Sequence, residues 1–351
     1  MKVDAPLVAT TLARVPTAAR RIEADGFDGV YTFEGAHDPF LPLMLAAEHT
    51  ERIELMTAVA IAFARSPMTV AQIGWDLNAA SGGRAVLGLG SQIKAHVERR
   101  FSMPWSAPAT RMREYVGALR AIWAAWHDGA PLRFEGGHYH HTLMTPFFTP
   151  EPSPVGPPRL FLAGVGPAMT AVAGDVADGF FVHPFSTPDY LRSTTLPALR
   201  GGARGATAGF ELAWPVMIAT GATDEAREAA ELATRAQIAF YASTPAYRPV
   251  LERHDRGELQ PALRERTKSD DWSRLLELVD DDLFDLVAVR GTPAACGEEL
   301  AARTVGLVDR VAPNAPYASD PGIWVDVLKA FRSAVDTFAD AAVASDPGGV
   351  P

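Results

Sequence analysis

The chain has 351 residues, 48% of them hydrophobic, so it can bury a large core and is not a chain disordered throughout. Its 42 acidic residues outnumber 32 basic ones, and the formal charge of −10 argues against nucleic acid or an anionic lipid surface as partner. The single cysteine, Cys296, excludes an internal disulfide and a cysteine-based metal centre, and no apolar run reaches the roughly 20 residues that span a bilayer.

Short β-rich runs alternate with helical stretches from the start. Residues 3–10 read as a strand and 15–25 as a helix in which Ala18, Ala19 and Ile22 share a face before Gly26 stops it. Strand two is 29–32, followed by a loop with Glu34, His37 and Asp38 and a helix from Pro42. Strand three is 53–59. The third helix opens on Ser66-Pro67, a cap followed by a first-turn proline, and ends before Gly82-Gly83; strand four is 84–89. The connection 90–108 is too long to be a plain turn and is expected to be functional. A helix over 112–127, a hairpin over 136–142 and a proline-rich excursion over 146–158 lead to strand five, 159–163. Gly166-Pro167 opens the next helix, and strands six and seven are 180–183 and 210–218. A charged helical stretch over 224–282 precedes strand eight, 285–289, and the last helix starts at Gly291-Thr292-Pro293.

Eight such units predict one (β/α)8 TIM barrel over residues 1–341, with a helical insert between strands seven and eight serving as a lid or subunit contact. The tail, 342–351, is expected to fray. The N-terminal MKVDAPLVATTLARVP lacks the apolar centre of a secretion signal, so a cytoplasmic location is expected.

In such a barrel the working groups lie on the loops that follow the strands. Two stand out. Leu87-Gly88-Leu89-Gly90-Ser91-Gln92 puts glycines at a strand exit, where main-chain N–H groups can approach a polar ligand. Ala163-Gly164-Val165-Gly166-Pro167 runs into a helix N-terminus, whose open donors suit a phosphate.

These two strings, with Ile93-Lys94-Ala95-His96, Gly26-Phe27-Asp28-Gly29-Val30, Ala64-Arg65-Ser66-Pro67, Ala173-Gly174-Asp175 and Ala177-Asp178-Gly179, resemble luciferase-like oxidoreductases that use the deazaflavin coenzyme F420. The resemblance implies a barrel of the bacterial-luciferase type and a homodimer. It implies a cis peptide at Ala58-Val59 behind the cofactor ring. Gly90, Ser91, Gln92 and Ile93 would flank the ring and its side chain, and Gly164, Val165, Gly166 and Pro167 would touch the phosphate. Where the family often has Asp near the ring, this chain has Glu34. Family sugar-phosphate dehydrogenases carry an acid and a histidine where this chain has Ile93 and Gly35, so those roles do not transfer.

The implied reaction is hydride transfer between the deazaflavin and a small organic substrate, for which the protein must align the partners and manage a proton. Candidate proton handlers are Glu34, His37 and His96, and His183 is a candidate for the substrate pocket. Arg65, Lys94, Arg99 and Arg100 could balance an anionic tail, and Trp105, Phe147 and Phe148 could wall a substrate. Rival readings are an FMN-dependent luciferase-like monooxygenase, a non-catalytic deazaflavin-binding protein, and a metal-dependent barrel hydrolase built on His138, His140 and His141. The last lacks a three-ligand set placed at the strand ends, so no metal is expected.

Overall fold

The computed structural model describes residues 1–8, 11–268 and 272–345. Residues 9–10 at the expected end of the first strand, 269–271 of the expected insert and 346–351 of the expected tail lie outside the described residues. Eight strands pair in chain order: β1 (Lys2–Pro6), β2 (Gly29–Thr32), β3 (Glu54–Thr57), β4 (Ala85–Gly90), β5 (Arg159–Ala163), β6 (Gly179–Phe181), β7 (Glu211–Thr220) and β8 (Arg310–Asn314). The last returns to the first, and helices join the strands, so the fold is a (β/α)8 barrel. No helix among the described residues is long and apolar enough to cross a membrane.

The eighth strand corrects the sequence expectation. Residues 285–289 divide between the helix Asp281–Val287 and a short strand, Ala288–Gly291, registered on Met217–Thr220 of β7. The Asp280 side chain accepts the Leu283 amide at 2.7 Å, an N-cap that draws the following residues into helix. The ring closes through β8, registered on both β7 and Lys2–Val3 of β1. Arg310 at its start and Pro313 within it break the apolar pattern of a central strand, although Arg310 is fully buried.

The chain divides into two compact units. The N-terminal unit holds Asp4–Phe181 and Leu196–Leu212. All six residues of β4 are buried, as the continuous apolar run Ala85-Val86-Leu87-Gly88-Leu89-Gly90 requires of a parallel strand covered on both faces. Its helices follow local signals. Ser66 Oγ accepts the Thr69 amide at 3.2 Å and Pro67 sits in the first turn of the helix Pro67–Ala80, while Gly26, at φ +92°, follows the helix Val15–Ala24. A helix Pro108–His127 packs Tyr115, Leu119, Ile122 and Trp123 inward. At the strand starts, Arg159 bridges Glu54 and Glu211, each at 2.6 Å.

The C-terminal unit holds Met1–Val3, Val182–Thr195 and Ala213–Pro351. The helical insert expected over 224–282 is present as helices Asp224–Ala242, Arg248–Glu252, Leu259–Lys268 and Trp272–Glu277, ahead of Asp281–Val287. Phe185 and Met217 pack with Ile238, Leu251, Leu263 and Phe284 of these helices into one core. The last helix, Pro321–Ser345, reaches into the segment expected to fray.

Candidate active site

In the N-terminal unit the exits of β2, β3 and β4 are locked together by the main chain. The Ala58-Val59 peptide is cis, as the resemblance implies. Ala58 N donates to Thr32 O at 2.6 Å and Glu34 N donates to Val59 O at 3.2 Å, so the end of β2 holds both residues. Thr57 Oγ1 donates to Gly88 O at 2.8 Å and accepts from Gly88 N at 2.9 Å. This closeness explains the two glycines of β4. A Cβ on Gly88 would overlap the Thr57 carbonyl oxygen and press on Phe181, and one on Gly90 would lie 2.7 Å from Val59 Cγ2.

Beyond Gly90 the chain turns sharply. Gln92 takes a left-handed φ of +58° and its Oε1 accepts the Ile93 amide at 2.9 Å, which starts the short helix Lys94–Arg99. Ile93 is 58% exposed, and Ser91 Oγ donates to Gln92 O at 3.2 Å. The connection expected to be a long loop thus contains a helix, and His96 lies exposed on it. Arg100 donates to the carbonyl of Gly35 and lies over the Phe101 ring, which ties this segment to the loop after β2.

Glu34 is not a free carboxylate. Its side chain is 5% exposed, and Oε2 accepts both Ile61 N and Arg65 Nη1 at 2.7 Å. Arg65 also donates to Asp38 Oδ2 at 2.9 Å, while Asp38 Oδ1 accepts the Phe40 amide at 2.8 Å. Burial alone would lower the Arg65 pKa, but the two carboxylates outweigh it and raise it. Two of the residues singled out singly in the sequence, Glu34 and Arg65, are therefore one ion pair. His37 is exposed nearby in sequence, and neither its ring nor that of His96 has a hydrogen-bond partner among the described residues. Of the other basic candidates, Lys94 pairs with Glu98 at 3.8 Å.

The second expected loop follows β5. A Cβ on Gly164 would collide with Met169, while Gly166, at φ +84°, faces open space. Gly166 is the N-cap of the helix Pro167–Val176, and no side chain caps it. Its first-turn amides are therefore presented without a competing acceptor from a cap side chain, beside exposed Val165.

Sequence reasoning missed Arg111. Its guanidinium lies 4.3 Å over Phe63, donates to Tyr139 Oη at 2.8 Å and to Pro104 O at 2.6 Å, and fixes the end of the 90–108 connection. Trp105 packs edge-on to Phe63, whereas Phe147 and Phe148 are exposed against each other. The histidine trio does not converge: His140 and His141 are neighbours on a two-residue strand, whose side chains alternate, and His138 sits in the turn with its amide on Glu114. Among the described residues no group of three or more His, Cys, Asp or Glu side chains could hold a metal ion.

The C-terminal unit carries His183, two residues past β6. Its Nδ1 accepts the Phe185 amide at 3.1 Å, and burial pulls its pKa down to about 3. The ring stacks on Tyr247 at 4.2 Å and meets Tyr241 edge-on at 4.7 Å. Both tyrosines come from the insert, where no sequence pattern marks them. The same segment is anchored by Thr187 Oγ1, 2.8 Å from His254 Nε2.

Residues 1–310 match the family model of the luciferase-like monooxygenases. An uncharacterized protein of Mycobacterium tuberculosis is 53% identical over 316 residues, covering 89% of this chain and 93% of that protein. An F420-dependent glucose-6-phosphate dehydrogenase of Beutenbergia cavernae is 33% identical over 195 residues, 52% of this chain and 55% of that enzyme. The solved coenzyme F420 dependent tetrahydromethanopterin reductase from Methanopyrus kandleri has the same fold at a TM-score of 0.74 and 20% identity, covering 93% of this chain and 96% of that one.

Proposed function

The chain belongs to the luciferase-like monooxygenase family, and on that premise we propose that it is an oxidoreductase exchanging a hydride between a deazaflavin of the F420 type and a small organic substrate. The observation that carries this reading is an open, uncapped helix N-terminus after β5 together with a bare strand exit at β4. Gly166 has nothing within 4 Å of the place a Cβ would take, and Gly90, without a side chain, packs directly on Val59 of the cis peptide in the same unit. A flat ring with a phosphate-bearing tail matches those two features, and the likeness to the Beutenbergia cavernae enzyme supports F420 as the ring's owner.

The amides of Gly164, Val165 and Gly166, with Pro167 opening the helix, would hold the phosphate. Gly90, Ser91, Gln92 and Ile93 would flank the ring, with Ala58 and Val59 behind it. When bound, such a group supplies a ring carbon that gives or takes a hydride. The protein's own part is positioning and proton traffic. Glu34 Oε2 already accepts two hydrogen bonds, so its part is to hold Arg65 and the Ile61 amide in place. Proton exchange falls to the exposed imidazoles of His37 and His96, each of which can bind or release a proton at a ring nitrogen.

The test is titration of the purified chain with F420 and with FMN, read by cofactor fluorescence. Saturable F420 binding is expected, and Val165→Asp, which puts a carboxylate on the exposed loop that would hold the phosphate and leaves the positive-φ Gly166 in place, should weaken it sharply while the circular dichroism spectrum stays native. Preferential FMN binding would turn the reading to a flavin monooxygenase, and binding of neither would overturn it.

A further inference from the structure

The His183 cluster has chemistry that the cofactor reading does not use. His183 Nδ1 accepts the Phe185 amide, so in the neutral ring the proton sits on Nε2. The ring cannot turn freely: Tyr247 covers one face at 25°, Tyr241 stands against it at 79°, and the two tyrosines contact each other at 5.8 Å. Phe185, 1% exposed, backs both phenol rings at 6.4 and 6.1 Å. Nε2 and the two tyrosine hydroxyls have no hydrogen-bond partner among the described residues, yet none is a sealed, unsatisfied atom, so each reaches accessible space.

Among the described residues no ion pair or hydrogen bond from a charged side chain is made to these three rings, and burial is the leading cause that depresses His183 and raises both tyrosines. A charged ligand entering here would lose hydration without a counter-charge, which is costly, whereas a flat uncharged molecule would pack on the rings.

We propose that His183, Tyr241 and Tyr247 form a binding site for an uncharged aromatic or alicyclic molecule with one carbonyl or hydroxyl oxygen, held by the His183 Nε2–H. The site lies wholly within the C-terminal unit and does not rest on the function proposed above. A site built around one fixed donor discriminates against the analogue that lacks the oxygen.

The experiment uses the full chain without cofactor and three probes of similar shape: acetophenone, ethylbenzene and benzoate. Binding is followed by the nitrogen-15 and proton shifts of the His183 imidazole at pH 7. The ring is expected in the Nε2–H form, with acetophenone shifting its Nε2–H and binding at least about five-fold more tightly than ethylbenzene, the scale of one net hydrogen bond. Benzoate should leave the signal unmoved. His183→Phe keeps the stacking and should erase the preference for acetophenone over ethylbenzene; if that variant does not fold, the wild-type shifts decide. A proton on Nδ1, equal binding of ethylbenzene, or benzoate binding as tightly as acetophenone would overturn the proposal. Because no cofactor is present, these outcomes are independent of the F420 titration.

Discussion

Arg65 Nη1 lies 2.7 Å from Glu34 Oε2, although the two residues are 31 positions apart, and the same oxygen accepts the Ile61 amide. The pair joins the loops after β2 and β3. Glu34→Gln leaves an acceptor for Ile61 but removes the charge opposite Arg65, which keeps Asp38. We expect a loss of ~1–3 kcal/mol, less than for an isolated buried pair, read as a lower urea midpoint at pH 7. An unchanged midpoint would show that the pair contributes nothing.

Gly88 has no room for a methyl group between the Thr57 carbonyl and Phe181. Both neighbours belong to packed strands, so Gly88→Ala should cost about 3 kcal/mol or more, seen as lost soluble yield or a much lower unfolding midpoint. Gly209 is the control, because a Cβ there would meet nothing within 4 Å, and Gly209→Ala should change stability by less than ~0.5 kcal/mol.

Arg111→Lys keeps the charge and loses the planar fork. A lysine ammonium cannot stack on Phe63 while serving both Tyr139 and Pro104. A loss of roughly 2 kcal/mol in urea unfolding is expected, with faster amide hydrogen exchange near Trp105. Exchange rates identical to wild type would contradict the assigned role.

Glu23 gives a pH-dependent prediction. Burial alone would raise its pKa, but the amides of Arg52, Ile53 and Glu51, at 2.7, 3.2 and 2.9 Å from Oε1, outweigh it and lower the value. A carboxyl depressed in the folded state adds stability above its unfolded pKa of about 4.3 and loses it as pH falls through the folded value. The stability gap between wild type and Glu23→Gln should therefore be full at pH 7 and shrink progressively below about pH 4. A gap independent of pH would rule out the charge as its source.

Local signals in the sequence were reliable where they act within one turn or one strand. Ser66-Pro67 caps a helix, Gly26 ends one, and the apolar run of β4 is a buried strand. The two glycine turns also lie at strand exits, as expected. β8 was not legible, because a buried arginine and a proline mask its pattern, and the acidic run from Asp280 turned the expected strand into a helix. The site was legible only as residue types near strand ends. Glu34 read as a free acid, and nothing in the chain shows that Arg65 neutralises it.

What the sequence determined by itself is the alternation of strand and helix, the glycine-lined turns and the family's motifs, all carried by contacts between near neighbours in the chain. The tertiary structure alone decided which strand closes the ring, that Glu34 and Arg65 are one unit, that Arg111 reaches Tyr139, and that Tyr241 and Tyr247 enclose His183. The physical reason is distance along the chain. Hydrogen bonds and ring contacts act over a few ångströms of space, and only the folded topology brings side chains tens of residues apart within that range.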